Sequence, residues 1–126
     1  MKPGSSTTPF LKSFRYALAG IAECYRVGRN IRVQTGAAVL VIALGFFFHV
    51  SAGEWCALLV CIGLVLGGEC MNTAVEDAVD LACPRIDPLA KAAKDLAAGA
   101  VLVFSLASLA VGLIVFVPHI LTLLGW

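Results

Sequence analysis

The fold is decided by residues 55–80, WCALLVCIGLVLGGECMNTAVEDAVD. Residues 55–68 carry no charged side chain, which is typical of a membrane-spanning helix. In a continuous helix, side chains spaced i, i+3, i+4, i+7 and i+11 share one face. The residues on this acidic face are Glu69, Asn72, Thr73, Glu76 and Asp80. Ionisable groups at membrane depth are costly, so the acidic face predicts a functional site; a helix end that only solvates its acids is the alternative.

The composition of the whole chain predicts a membrane protein. The chain has 126 residues, of which 60% are hydrophobic and 13% charged, and its mean hydropathy is +0.95. Soluble domains are usually about 45–50% apolar and about 25% charged. We therefore predict an all-α membrane protein with a single domain over residues 1–126. Its net charge of +1 gives no reason to expect a nucleic-acid partner.

Four helical segments are predicted after a flexible lead, residues 1–9, which is rich in Pro, Ser and Thr. Residues 10–30 have apolar side chains at helical spacing with basic residues between them, which predicts an amphipathic helix on the membrane surface. Packing of this helix against protein is compatible with that position. The three membrane-spanning helices are predicted over residues 33–50, 55–82 and 95–117, with Pro118 ending the last.

The basic residues predict the orientation. All nine Lys and Arg residues lie before the first span or between the second and third. The positive-inside rule therefore places the N-terminus and the 83–90 loop on the cytoplasmic side. The acidic face, the loop and the surface helix then meet at one membrane surface.

Small residues predict close helix packing near the acidic face. Gly63 and Gly67 form a G-x-x-x-G pattern, and small residues also fill positions 97–100. Such residues allow helices to approach closely in lipid. We expect the spans to pack tightly around the acidic face, either within one chain or between copies.

The residue types on this face suit phosphoryl transfer. Carboxylates can hold a divalent cation, and Lys94 opens the third span, where backbone N–H groups attract anions. Glu69 could act as a general base on a hydroxyl presented from the lipid. The chain lacks G-x-x-x-x-G-K-[ST] and G-x-G-x-x-G, which excludes the usual soluble nucleotide kinases. An ion-coupled transporter is the alternative, although three helices without a second intramembrane charge make a poor relay.

Two long segments at the right separation resemble one family. They are Glu69-x-x-Asn72-Thr73-Ala74-Val75-Glu76-x-x-Val79-Asp80 and Pro88-Leu89-Ala90-Lys91-x-Ala93-Lys94-Asp95-x-Ala97-Ala98-Gly99-Ala100-Val101. With Arg29-Asn30 and Glu54-Trp55, they are similar to the small bacterial integral-membrane lipid kinases, the prokaryotic diacylglycerol kinase family, which includes undecaprenol kinase. The likeness extends over residues 10–116.

The resemblance implies an architecture and an activity. The architecture is an amphipathic surface helix with three membrane helices, assembled as a homotrimer whose active sites combine helices of neighbouring subunits. The activity is ATP-dependent phosphorylation of a lipid hydroxyl, on diacylglycerol or undecaprenol, with Mg²⁺ as cofactor. The location is the bacterial cytoplasmic (inner) membrane, with several spans and a cytoplasmic N-terminus. The form of the second segment resembles the undecaprenol branch more than the diacylglycerol branch, but the lipid stays open.

The resemblance also implies roles for individual residues. Glu69 would be the general base, Glu76 would hold the Mg²⁺ that bridges the ATP phosphates, and Asn72 would support both base and phosphate. The nucleotide-binding residues would be Tyr16, Asn72, Glu76, Arg85, Ile86, Asp87, Lys94 and Asp95.

Gly28 is a departure from the family pattern, which has a glutamate there that shares the metal with Glu76. Possible substitute ligands are Glu23, Asp77 and Asp80. An impaired relative that binds nucleotide or lipid is therefore an alternative to an active kinase. A glycine inside a helix over residues 10–30 also costs about 1 kcal/mol relative to alanine, so we expect Gly28→Ala to stabilise that helix.

Overall fold

The computed structural model describes residues 9–126 and contains no strand within them. Of the predicted flexible lead, residues 1–8 lie outside the described part. The four helices are α1 Pro9–Val27, α2 Asn30–Phe47, α3 Ala52–Ala82 and α4 Pro88–Leu123. The last three are each long and apolar enough to cross a membrane. The predicted class, an all-α protein with one amphipathic helix and three spans, is confirmed.

Side-chain caps place the starts of α3 and α4 earlier than predicted. The Ser51 hydroxyl accepts a hydrogen bond from the Glu54 amide at 3.2 Å, and the Glu54 carboxylate accepts one from the Ser51 amide at 3.1 Å. This capping box starts α3 at Ala52, because it satisfies amide groups that no helical carbonyl reaches. The Asp87 carboxylate does the same for α4, accepting from the amides of residues 89 and 90 at 2.8 and 3.3 Å.

The predicted ends of the first and last spans are wrong. The first span ends at Phe47 instead of residue 50, because the chain turns there and His49 adopts a left-handed conformation with φ 52°. The last span does not end at Pro118, since α4 continues to Leu123. Proline is tolerated more readily inside membrane helices than inside soluble ones.

The junction between α1 and α2 corrects the predicted surface helix over residues 10–30, which ends at Val27. The Arg32 guanidinium donates to the carbonyl oxygens of Tyr25, at 3.0 and 3.2 Å, and Arg26, at 3.3 Å, at the end of α1. Gly28 therefore lies in a turn. A Cβ on Gly28 would lie 2.6 Å from the Cys24 carbonyl oxygen. The expected stabilisation by Gly28→Ala is consequently wrong, since that position requires a close backbone approach.

The helices pack around two centres. At the end of the molecule that contains the α2–α3 turn, a buried apolar core joins α2, α3 and α4, and its fully packed members are Val50, Leu58, Val115 and Phe116. Nearer the acidic face, Gly68 allows α3 to lie against α4, because a Cβ there would be 2.7 Å from the Phe104 ring. The α1 helix packs on α3 through Cys24, which is 3% exposed. Both centres therefore hold α3 in the middle of the fold.

His119 lies at the same end as the α2–α3 turn. Its Nε2 is 3.0 Å from the Glu54 carboxylate, and its ring is 5.7 Å from that of Phe48. The pair ties the start of α3 to the end of α4. Glu54 and Glu69 thus occupy opposite ends of the apolar part of one helix and have different surroundings.

Candidate active site

The acidic face of α3 runs from the protein interior to the surface. Among the described residues, Glu69 and Asn72 are the buried polar side chains, at 4% and 7% exposed. Glu76 and Asp80 are exposed. Glu76 lies about 10 Å further along the axis than Glu69, at about 1.5 Å per residue. A group at Glu69 is therefore shielded from solvent, while a group at Glu76 can meet a water-soluble ligand.

The Glu69 carboxylate is held by a residue of another helix. Gln34 on α2 donates from Nε2 to Glu69 Oε2 at 3.3 Å. Thr73 donates from its hydroxyl to the Glu69 backbone carbonyl at 3.0 Å, so it leaves the carboxylate untouched. A buried carboxylate needs hydrogen-bond partners, because it has lost its water. The sequence analysis missed Gln34, whose only signal was a polar side chain within an otherwise apolar span.

Asn72 and Glu76 form the next pair along the face. Asn72 Nδ2 donates to Glu76 Oε1 at 3.2 Å. Asn72 Oδ1 is buried and has no hydrogen-bond partner among the described residues. A carboxylate and an unpartnered amide oxygen therefore lie within one helical turn, next to the buried base candidate.

This oxygen pair fits one mode of magnesium binding. Within residues 9–126, no group of three or more His, Cys, Asp or Glu side chains could hold a metal ion. Mg²⁺ usually takes one or two carboxylates, substrate phosphates and several waters, all through oxygen. Glu76 and Asn72 Oδ1 suit an ion that arrives with nucleotide phosphates, and they do not make a closed protein cage.

Two of the three possible substitute ligands are engaged with cations, while Asp77 is exposed on α3. Glu23 is exposed on α1 and accepts from the Arg26 guanidinium at 2.5 and 2.8 Å. The hydrogen bond from Arg26 lowers the pKa of the Glu23 carboxyl. Asp80 accepts from the Lys94 ammonium of α4. Each carboxylate would have to leave a cation before it could replace the glutamate absent at position 28.

Of the predicted nucleotide-binding residues that lie outside the acidic face, Lys94 contacts it. Its ion pair with Asp80 joins the start of α4 to α3. Asp95 accepts from Lys91 at 2.5 Å, one turn apart on α4. Asp87 caps α4, which gives it a structural role.

The remaining predicted nucleotide-binding residues lie on the exposed surface. Ile86 is fully exposed in the α3–α4 loop, Arg85 is exposed in the same loop, and Tyr16 is 59% exposed on α1. The described chain therefore assembles Glu69, Asn72, Glu76 and Lys94, and leaves Tyr16 and the loop outside that cluster.

One protein family and several known proteins are similar in sequence to this chain. The family described as prokaryotic diacylglycerol kinase matches residues 15–116. An undecaprenol kinase of Bacillus subtilis is 44% identical over 111 residues, which is 88% of this chain and 90% of that protein. A diacylglycerol kinase of Synechocystis sp. is 40% identical over 115 residues, 90% of this chain and 66% of that protein. A diacylglycerol kinase of Pseudomonas aeruginosa is 32% identical over 90 residues, 71% and 73% of the two chains.

Three apolar helices around a buried carboxylate, with an exposed acidic end, fit a membrane protein. The match over residues 15–116 then fixes the family: this chain belongs to the prokaryotic diacylglycerol kinase family. It is a lipid kinase, and ATP is its phosphoryl donor.

Proposed function

We propose that the chain transfers the γ-phosphoryl group of ATP to the hydroxyl of diacylglycerol or undecaprenol, with Glu69 as the general base. The observation that carries this proposal is the burial of Glu69 among apolar helices, one turn from the Asn72–Glu76 pair. The lipid O–H bond breaks and its proton passes to the Glu69 carboxylate. The lipid oxygen bonds to the γ-phosphorus, the bond from that phosphorus to the bridging oxygen breaks, and ADP leaves with the electron pair.

The phosphate side of the reaction is assigned to the outer half of the acidic face. Glu76 and Asn72 Oδ1 would hold Mg²⁺ together with the nucleotide phosphates, and the ion supplies charge neutralisation on the transferred group. The Asn72 amide also fixes the Glu76 carboxylate through its 3.2 Å hydrogen bond. Lys94 would exchange its contact with Asp80 for a phosphate oxygen, since both are anionic acceptors.

The assembly we propose is a homotrimer with active sites shared between subunits. Supporting this, a Cβ added at Gly63 or Gly67 would meet nothing within 4 Å, so the G-x-x-x-G face is unpartnered in the single chain. A groove of about 450 Å³ runs along that face and includes Asn72 and Phe104. Small residues of this kind permit close approach of helices in lipid. Helices of a neighbouring copy would then complete the site.

The proposed location is the bacterial inner membrane, with the N-terminus in the cytoplasm. The confinement of all Lys and Arg residues to two segments on one predicted side supports this orientation. In this orientation the acidic end of α3 faces the cytoplasm, where ATP is present.

Radiolabel transfer from γ-labelled ATP, with the purified protein in mixed micelles, tests the activity. We expect labelled lipid from undecaprenol or diacylglycerol and none in the reaction without lipid. The Bacillus subtilis relative makes undecaprenol the first lipid to test.

The second candidate function, an impaired relative that binds nucleotide, is favoured by Gly28 alone. ATP binding by equilibrium dialysis without transfer to either lipid at any magnesium concentration would establish it.

A further inference from the structure

We propose that Gln34 is a positioning residue for the reaction, acting through the Glu69 carboxylate. The inference rests on the proposed role of Glu69 as the base. Gln34 Nε2 donates to Glu69 Oε2 at 3.3 Å. Among the described residues, this is the only hydrogen bond to the Glu69 carboxylate. Because the donor comes from α2 and the acceptor from α3, the contact fixes the rotation of the carboxylate relative to a second helix. Glu69 Oε1 is then left to take the lipid proton.

The surroundings of Gln34 indicate that it is not kept for packing. Gln34 lines an apolar groove of about 250 Å³ between α2, α3 and α4, beside Ala38, Val41 and Leu66. Its Oε1 is buried without a hydrogen-bond partner among residues 9–126. A buried amide with an unpaired oxygen lowers stability, so packing alone would favour an apolar side chain of similar volume here if Glu69 needed no donor. We therefore attribute the presence of a glutamine at position 34 to the hydrogen bond that its amide N–H group donates to the Glu69 carboxylate.

The hydrogen bond from Gln34 makes the two carboxylate oxygens of Glu69 chemically inequivalent. A carboxylate free to rotate presents either oxygen in many directions, and only some of them face a bound lipid hydroxyl. Holding reacting groups in the productive geometry accounts for a large part of enzymatic rate enhancement. Gln34 should therefore affect the chemical step and leave the nucleotide site alone, since Glu76 and Lys94 lie further along α3 and α4.

The first test replaces Gln34 with methionine, which has a similar shape and no N–H donor. We expect Gln34→Met to lower kcat by about 10- to 100-fold, the scale of one hydrogen bond to a charged group. The KM for Mg-ATP should not change, and the thermal midpoint should fall modestly, because the buried Glu69 carboxylate loses its hydrogen-bond donor. Gln34→His keeps an N–H donor and should recover most of the rate. A wild-type kcat for Gln34→Met, or a Gln34→His variant as slow as Gln34→Met, would overturn the proposal.

The matched control is Ser108→Ala, which removes another polar group from the same groove. The Ser108 hydroxyl donates to the Cys61 carbonyl at 3.5 Å and has no contact with Glu69. We expect wild-type kcat for this variant. A loss equal to that of Gln34→Met would mean that the groove, and not the Glu69 contact, sets the rate, which would refute a positioning role.

A double-mutant cycle separates positioning from general damage. Glu69→Asp shortens the base, so its carboxylate no longer reaches the Gln34 amide. In that background, Gln34→Met should cost little further activity, because coupled residues are not additive. The same fold loss in both backgrounds would contradict the proposal. If the wild-type protein phosphorylates no lipid, the proposed function fails; if it does and the cycle is additive, only the role of Gln34 fails.

Discussion

Alanine at Gly28 is expected to destabilise the protein. The Cβ would lie 2.6 Å from the Cys24 carbonyl oxygen, whereas ordinary contacts begin near 3.4 Å. The carbonyl must therefore move by about 0.8 Å, although it also accepts the Gly28 amide hydrogen bond at 2.8 Å. Overpacking of this kind typically costs about 1–3 kcal/mol. For a chain of this size we expect the thermal midpoint in detergent to fall by roughly 5–10 °C.

Glutamate at Gly28 introduces the same Cβ and adds a carboxylate near the start of α2. The steric loss of stability should match that of alanine, so Gly28→Ala is the control for it. If position 28 marks a missing metal ligand, Gly28→Glu alone should lower the magnesium concentration at half-maximal rate and leave the lipid dependence unchanged. The assay is initial transfer rate against free Mg²⁺ at saturating ATP. Equal magnesium requirements in both variants, or a higher thermal midpoint for alanine, would refute this reasoning.

Three further predictions concern topology, packing and the α3–α4 loop. A cysteine at the fully exposed Ile86, in a chain whose native cysteines are replaced, should resist a membrane-impermeant thiol reagent in intact cells; labelling before lysis would reverse the orientation. Gly68→Ala should lower the thermal midpoint, because its Cβ would be 2.7 Å from the Phe104 ring, and Phe104→Leu should restore part of the loss. At Asp87, alanine should cost about 1 kcal/mol of stability through the lost cap while asparagine is neutral; a raised KM for ATP in the asparagine variant would show that Asp87 also contacts nucleotide.

The elements that the sequence could predict are those with long periodic patterns. The acidic face of α3 follows from one helical repeat, and the structure buries Glu69 and Asn72 on that face. The three spans follow from uninterrupted apolar length. Lys94 was predicted beside the acidic face from its place at the start of the third span, and its ion pair with Asp80 agrees.

Three features were not predicted from the sequence, and one of them depends on a contact between distant parts of the chain. Gln34 reaches Glu69 across 35 positions of sequence, so no local pattern could reveal the pair. The turn at Gly28 depends on Arg32, which covers the last carbonyls of α1 and ends that helix early. Pro118 was read as a helix end from its own chemistry, but α4 continues through it to Leu123.

The central claim is that Glu69 takes the proton of the lipid hydroxyl. The most direct measurement compares phosphoryl transfer from labelled ATP by Glu69→Gln and by Glu54→Gln, a matched change at the other end of α3. Glu54 caps α3 and pairs with His119 at 3.0 Å, so its loss should affect stability and leave turnover at the wild-type level. We predict that Glu69→Gln keeps its fold and loses about 10²–10⁴-fold in kcat, the usual cost of removing a general base. Near-normal turnover by Glu69→Gln, or an equal loss in both variants, would contradict the account.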